Sequence, residues 1–272
     1  MVKKILLIVG FLFFLSIILF PFYWMILSST KTFGELFAFP PIFLPSEITL
    51  KAYKEVIFEQ NFLYYFANSL YVSLITVCLT ISLSTLGAYA VARLQFKGKS
   101  FMSQTILLVY TFPPILLVIP LFAMLAKVGL TDSLNGLILA YLAQTLPVSL
   151  YMLASYFRTI PVDIEEAGIV DGCSRLEVIR YLTIPLSLPA IATVALYTFM
   201  ITWNEFLFAF IFLFSPEKYT LSIGVVRLFQ SYHTAWDMVM AASVIVAIPV
   251  IVMFLCFEKY LEKGLVAGGV KG

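Results

Sequence analysis

One carboxylate, Glu205, stands beside an amide, Asn204, inside a long apolar stretch of the chain. A carboxyl in such a place can carry a proton or a cation along a path, or it can tie two helices together by a hydrogen bond. Gln144, in another apolar stretch, is an uncharged polar group suited to lining a solute path. A second set of residues invites contact rather than proton transfer. Glu165, Glu166, Ala167, Gly168, Asp171, Gly172 and Pro185 belong to a polar, glycine-punctuated segment between two apolar stretches, the kind of loop another surface can grip. Nothing in the chain assembles into a catalytic or metal centre, and no cofactor is expected. Gly98-Lys99-Ser100 imitates the end of a phosphate-binding loop, but Arg93 occupies the place of the required first glycine and no strand precedes it. The single histidine, His233, belongs to no His-Glu-x-x-His run, and no serine sits in a nucleophile elbow. Cys78, Cys173 and Cys256 have neither the even count nor the spacing of a disulfide framework or a zinc site.

The elements that must position these residues are set by composition. With 62% hydrophobic residues, 12% charged residues and a mean hydropathy of +1.02, the chain is far more apolar than a soluble domain, where about 45–50% is usual. Crossing a hydrocarbon core takes about 20 apolar residues in a helix. Six stretches qualify: 5–27, 67–92, 101–126, 137–157, 187–214 and 238–257, and Glu205 is the one charged residue in any of them. Lipid offers no hydrogen-bond partner to open strands or bare loops, so the spans are helices. The chain therefore reads as an all-α polytopic membrane protein with six transmembrane helices in one transmembrane domain, 1–272.

Lys3 and Lys4 precede the first apolar run as in a signal peptide, but the run is long and Phe22, Tyr23 and Trp24 do not suit a cleavage site, so it is read as a retained span. Six spans put both termini on one side. Eleven of the 17 lysines and arginines fall on that side, which the positive-inside rule assigns to the cytoplasm together with the 158–186 loop. On the far side, Pro40, Pro41 and Pro45 hold the 28–66 loop in extended or turn conformations, and Thr49 is expected to cap a short helix bearing Leu50, Tyr53, Val56 and Ile57. That loop either shields the outer helix ends or meets a soluble, substrate-delivering protein.

Within the 158–186 loop, Pro161 suits a first helical turn, and Asp163, Glu165 and Glu166 put negative charge at a positive helix end. Ala167 and Gly168 leave the middle of that helix without bulk, and Gly172 can adopt the left-handed conformation that stops it. Ser174-Arg175-Leu176-Glu177 has the form of a capping box. Leu176, Ile179 and Leu182 then give a second helix one apolar face before Pro185 ends it. The expected product is a helix-turn-helix knob; an ordinary elbow returning the chain to the membrane needs the same caps.

The acidic residue, small pair, glycine and terminal Ile184-Pro185, placed between the fourth and fifth of six spans, resemble the EAA loop of ABC importer permeases. The match departs at Gly168, where that family usually has alanine, a change that costs about 1 kcal/mol of helix propensity. The end of the chain, Gly264-Leu265-Val266-Ala267-Gly268-Gly269-Val270-Lys271-Gly272, resembles the tail of sugar-importing permeases of the maltose-transporter type, as do Trp203-Asn204-Glu205-Phe206-Leu207 and Tyr89-Ala90-Val91-Ala92-Arg93. The resemblance implies a type I ABC importer permease fold and a binding-protein-dependent carbohydrate importer of the inner membrane. It further implies coupling to two cytoplasmic ATPases through Glu165, Glu166, Ala167, Gly168, Asp171, Gly172 and Pro185. A flexible 258–272 tail would bring Gly268, Gly269 and Lys271 near the ATPase interface. The partners so implied are a second permease forming a heterodimer, the two ATPase subunits, an external solute-binding protein and membrane lipid, with no nucleic acid. ATP hydrolysis would lie in the separate subunits, so the chain is a transport component and not an enzyme.

Asn204, Glu205 and Gln144 are then candidates for the translocation path. Asn204 and Glu205 lie about 18 residues into the fifth span, some 27 Å along a helix that rises 1.5 Å per residue, towards the outer half of the bilayer. The rival reading is a stand-alone secondary transporter or channel with Glu205 as its ion or proton site. It calls for coupling residues in several spans and inverted repeats with matched broken helices, and neither is visible. A structural or regulatory membrane partner would keep the docking loop without needing a polar path.

Overall fold

Four of the six apolar stretches fold as uninterrupted helices, and the other two are broken. In the computed structural model, which describes residues 2–229 and 235–269, the main helices are α1 (Val2–Ser28), α2 (Phe62–Arg93), α3 (Lys99–Thr111), α4 (Val118–Lys127), α5 (Leu134–Phe157), α6 (Val162–Val170), α7 (Arg175–Leu186), α8 (Leu188–Asn204), α9 (Leu207–Phe212), α10 (Leu221–Phe229) and α11 (Trp236–Gly269). There is no strand among the described residues. This is the all-α class and the polytopic membrane architecture, since α1, α2, α5 and α11 are each long and apolar enough to cross a bilayer.

The breaks have local causes. Phe112 and Pro113 are extended, with ψ of 128° and 123°, and a 3₁₀ turn at Pro114–Leu117 leads into α4. Two consecutive prolines donate no N–H, so the third stretch cannot run through as one helix. The fifth stretch begins at a sharp bend and is broken in its interior. The chain bends by 80° between α7 and α8, and Glu205, at φ −69° and ψ 130°, separates α8 from α9.

The chain divides into two compact units, Met1–Phe66 with Ile223–Pro249 and Ala67–Ser222 with Val250–Gly272. In the first unit, α1 has an 18-residue window with no buried residue. An apolar helix without a protein neighbour faces lipid or another chain. The loop after it is tightly tied. Lys31 is 2% exposed, donates to the Ile42 carbonyl and lies 4.1 Å from the centre of the Trp24 ring. Glu35 accepts from the Ser46 side chain, the Ser46 backbone N–H at 2.9 Å and the Thr32 N–H at 3.2 Å. Those bonds, the Ser46 side chain first, draw its carboxyl down to about 2. The short outer helix forms at Lys51–Lys54 with Leu50 as its N-cap, and the Thr49 hydroxyl accepts from the Lys51 N–H at 3.2 Å. Its buried positions are Ala52 and, in the adjoining π turn, Val56, whereas Leu50 is exposed.

The second unit is held by small and hydroxylated residues. Ser69, Ser73, Thr76, Thr80 and Ser84 form a buried ladder along α2. Thr80 lies 3.0 Å from Thr145 of α5, and Ser149 of α5 lies 3.5 Å from Thr198 of α8, oxygen to oxygen. Lipid supplies no hydrophobic drive between helices, so close approach and hydroxyl pairs of this kind hold the bundle instead. At one end of this unit an apolar cluster gathers Ala88, Tyr89 and Val91 of α2, Leu153, Ala154 and Phe157 of α5, Ile160, Ile179 of α7 and Val194 of α8.

A clip made by Asp132 ties the loop after α4 to the segment after α9. Its carboxylate accepts from the Phe214 N–H at 2.8 Å, the Ser215 N–H at 3.0 Å and Lys218 Nζ at 2.8 Å. Burial pushes this carboxyl up, but the Lys218 ammonium and the Ser215 and Phe214 donors outweigh it and hold the group well below the usual carboxylate range. A depressed folded-state value stabilises the fold above the unfolded pKa of about 3.9, and that stability is lost as pH falls through the folded one. Asp132→Ala is therefore expected to destabilise the protein by about 2 kcal/mol at pH 7. Thermal melts in detergent should show the gap to wild type narrowing as the pH is taken below 4.

Candidate functional site

The segment between α5 and α8 folds as the expected knob. α6 starts after Pro161, with Asp163 and Glu165 in its first turn. It stops at Gly172, whose φ is +92°. The Gly172 N–H bonds to the Ile169 carbonyl at 3.0 Å and the Cys173 N–H to the Gly168 carbonyl at 3.0 Å, the paired pattern of a Schellman stop. Ser174 then begins α7 with a complete capping box: its side chain accepts from the Glu177 N–H, and the Ser174 N–H donates to Glu177 Oε2 at 2.8 Å. The Ser174 donors hold the Glu177 carboxyl below its ordinary value.

Gly168 packs closely inside the knob, where a Cβ would come within 2.6 Å of Leu182 Cδ1 and an alanine would require that side chain to shift. The faces of the knob differ from the sequence expectation. Leu176 is 69% exposed, and the buried side of α7 consists of Val178, Ile179 and Thr183. A π-helical turn over Ile179–Thr183 also inserts a residue and rotates the register of the positions that follow it, while Leu176 lies before the turn. Nor does Pro185 end the helix. α7 runs on to Leu186 and the chain bends at Ser187, the wider π turn just before Pro185 making room for a residue that lacks an N–H.

The residues singled out for coupling thus separate into two groups. Glu166, Ala167, Asp171, Gly172 and Pro185 are exposed. Glu165 is not: it is 4% exposed and points into the bundle, where Arg93 Nε donates to its Oε1 at 2.9 Å and the Thr183 hydroxyl lies at 3.4 Å. Arg93 Nη2 donates as well to the Ile160 carbonyl at 2.7 Å. The sequence places Arg93 at the end of the second span but offers no means of pairing it with Glu165.

Glu205 sits in the break between α8 and α9. Its Oε1 accepts from the Phe208 N–H at 2.9 Å, and its Oε2 from the Ala209 N–H at 3.2 Å and the Tyr141 hydroxyl at 2.9 Å. It caps α9 and ties it to α5. Asn204 is exposed and donates to the Met200 carbonyl of its own helix at 2.8 Å. Gln144 stands apart from both. It lines a cavity of about 180 Å³ together with Phe112, Pro114, Ala143, Pro147 and Tyr197, and its buried Oε1 has no hydrogen-bond partner among the described residues. Pro147, within α5, deprives the Ala143 carbonyl of its helical donor.

At the far end, α11 continues as helix through Gly268 to Gly269, where a flexible tail was expected, while Lys271 lies outside the described residues, as does His233. Among the described residues no group of acidic, histidine and cysteine side chains could hold a metal ion.

A helical membrane protein with several helices of span length and a helix-turn-helix segment between α5 and α8 is the class this fold defines. The chain belongs to the family of binding-protein-dependent transport system inner membrane components, whose model matches residues 83–266. It is 42% identical over 265 residues to the inner membrane ABC transporter permease protein YcjP of Escherichia coli, covering 97% of this chain and 95% of that one. It is 40% identical over 279 residues to the trehalose/maltose transport system permease protein MalG of Thermococcus litoralis, covering 99% and 98%. Among solved structures, a chain of a bacterial ABC transporter involved in the import of the acidic polysaccharide alginate matches with a TM-score of 0.81 over 95% of this chain and 96% of that one, at 23% identity.

Proposed function

We propose that the chain is the permease subunit of an ATP-driven importer for a carbohydrate, and that it couples to cytoplasmic ATPase subunits through the knob. The observation that carries the coupling is the knob's outer surface. Val170, Leu176 and Tyr181 are 85%, 69% and 61% exposed beside the exposed Glu166, Ala167 and Gly172. An apolar patch on an extramembrane protrusion is a protein-docking surface, and the family and the EAA-type spacing make an ATPase its partner. The excess of lysine and arginine on the knob's side supports a cytoplasmic knob and cytoplasmic termini. A second permease completes a heterodimer, two ATPases sit below, and an external binding protein delivers the cargo.

Carbohydrate is the cargo that the relatives favour, being named for trehalose and maltose, sulfoquinovosyl glycerol and arabinooligosaccharides. The chain's own geometry supports a neutral, hydroxyl-bearing solute. The cavity beside Gln144 offers acceptors and aromatic walls with no charged residue, and sugar hydroxyls are donors. At about 180 Å³ it is smaller than the roughly 300–1,000 Å³ of a complete ligand pocket, so it takes part of a solute while the partner permease supplies the rest. Among the path candidates Gln144 is the strongest, because its buried Oε1 is unpartnered among the described residues beside the cavity, whereas the Glu205 carboxylate is engaged by Tyr141, Phe208 and Ala209. Gln144→Leu removes one hydrogen bond of about 1 kcal/mol and is expected to weaken apparent solute affinity about fivefold, seen as a raised KM for uptake with ATPase association unchanged.

Co-purification from detergent tests the assignment. The wild-type chain should retain an ATPase subunit through washing, and one that purifies without it while moving solute in liposomes is not an importer permease.

A further inference from the structure

Arg93, which the docking surface does not include, fastens the knob by a buried ion pair to a helix distant in sequence. The knob comes after α5 and before α8, so chain continuity already joins it to those two. To α2 it has no covalent tie. Arg93 is the last residue of α2, and its side chain reaches α6 at Glu165 Oε1, 2.9 Å away, and the turn before α6 at the Ile160 carbonyl, 2.7 Å away. The two side chains are 8% and 6% exposed. The Thr183 hydroxyl, 3.4 Å from the same Glu165 oxygen, brings α7 into the cluster. One guanidinium thus gathers the end of a span, both helices of the knob and the connection from α5.

The apolar contacts beneath are of another kind. Phe157, Ile160 and Ile179 pack there, and apolar contact is non-directional, allowing packed helices to slide over one another; Tyr89 lies among them and adds a polar link from α2 to Glu165 and Arg175. A guanidinium fork holding two acceptors at fixed angles does not slide. Buried ion pairs add little net stability but fix geometry where the pairing is well made, and this one fixes the knob to α2.

We infer that Arg93 is a positioning residue for coupling: with Glu165 it makes a rigid strut that transmits movement of the gripped knob into α2. Glu165 then acts on the inner side of the loop, not on the ATPase. The inference rests on the knob being the ATPase dock, and it assigns transmission to residues that touch no partner.

The test is made on the assembled transporter in proteoliposomes, measuring ATPase retention, ATP hydrolysis and solute uptake on the same preparations. Glu165→Gln is nearly the same shape and keeps a weaker bond to Arg93. Arg93→Lys keeps the charge but cannot hold Glu165 and Ile160 together. Both are expected to retain the ATPase within twofold of wild type while solute moved per ATP hydrolysed falls about tenfold for each. The double variant Arg93→Met with Glu165→Leu removes both buried charges and guards against misfolding. It is expected to assemble and hydrolyse ATP, with uptake per ATP as low as in Glu165→Gln.

If the double variant moves solute with wild-type stoichiometry, or if none of the three assembles, the strut serves folding alone and the inference is overturned. If wild type itself shows no ATP-dependent uptake, the dock reading fails instead, and the two failures are told apart in one experiment.

Discussion

Gly172→Glu is expected to abolish retention of the ATPase and to lower ATP-driven uptake by tenfold or more, while the protein still inserts and purifies. Gly172 has a φ of +92°, where a side chain costs roughly 1–2 kcal/mol. A Cβ at this position meets nothing within 4 Å, so the penalty is in the backbone and not in packing. What is lost is the Schellman stop, whose bonds to Ile169 and Gly168 aim α7 relative to α6. The knob's exposed apolar residues lie on both helices, and a docking surface shared between two helices fails when the turn between them opens. Gly172→Ala keeps the strain without the added charge and should show a smaller loss. Co-purification and uptake on both variants check the pair, and equal ATPase retention in wild type and Gly172→Glu would remove the turn from the docking surface.

The second large effect is expected at Glu205, and there the two substitutions should part. Glu205→Gln keeps one acceptor oxygen for the α9 backbone and an amide N–H that can donate to the Tyr141 oxygen, and should leave ATP-driven uptake within a few-fold of wild type. Glu205→Ala removes the cap of α9 and leaves Tyr141, which is fully buried, without its acceptor. Loss of a cap costs about 0.5–2 kcal/mol and an orphaned buried hydroxyl about 1–3. The alanine variant should therefore melt lower and transport poorly. A proton or ion carrier would behave otherwise, since neutralisation in Glu205→Gln would silence it as completely as truncation. Uptake and melting temperature measured on both variants separate the cases.

Where backbone chemistry is local, the sequence is a good guide. The Ser174–Glu177 capping box and the stop at Gly172 depend on residues within a few positions of one another, and both form as expected. Pro113-Pro114 likewise announces a break, because two missing N–H groups in a row cannot be repaired within a helix. The six apolar stretches define the class through hydropathy alone. Other features depend on partners far along the chain. Glu165 and Glu166 look alike in sequence, yet one faces inward, and that is decided by Arg93, 72 positions earlier. The π turn at Ile179–Thr183 carries no residue signature, and packing alone decides that Val178 and Ile179 of α7 are buried where Leu176 is exposed. Glu205 stands out as a charge in a span, but its bonds to Tyr141, Phe208 and Ala209 appear only once α8 is seen to end at Asn204.

The most direct measurement is solute uptake into proteoliposomes containing this chain with its partner permease, the ATPase subunits and the external binding protein. Uptake is compared with ATP supplied on the knob's side and with a proton gradient in place of ATP. The importer account predicts uptake of a neutral carbohydrate that requires both ATP and the binding protein and ignores the gradient. Uptake driven by the gradient in the absence of ATP would contradict it and return Glu205 to the centre of the mechanism.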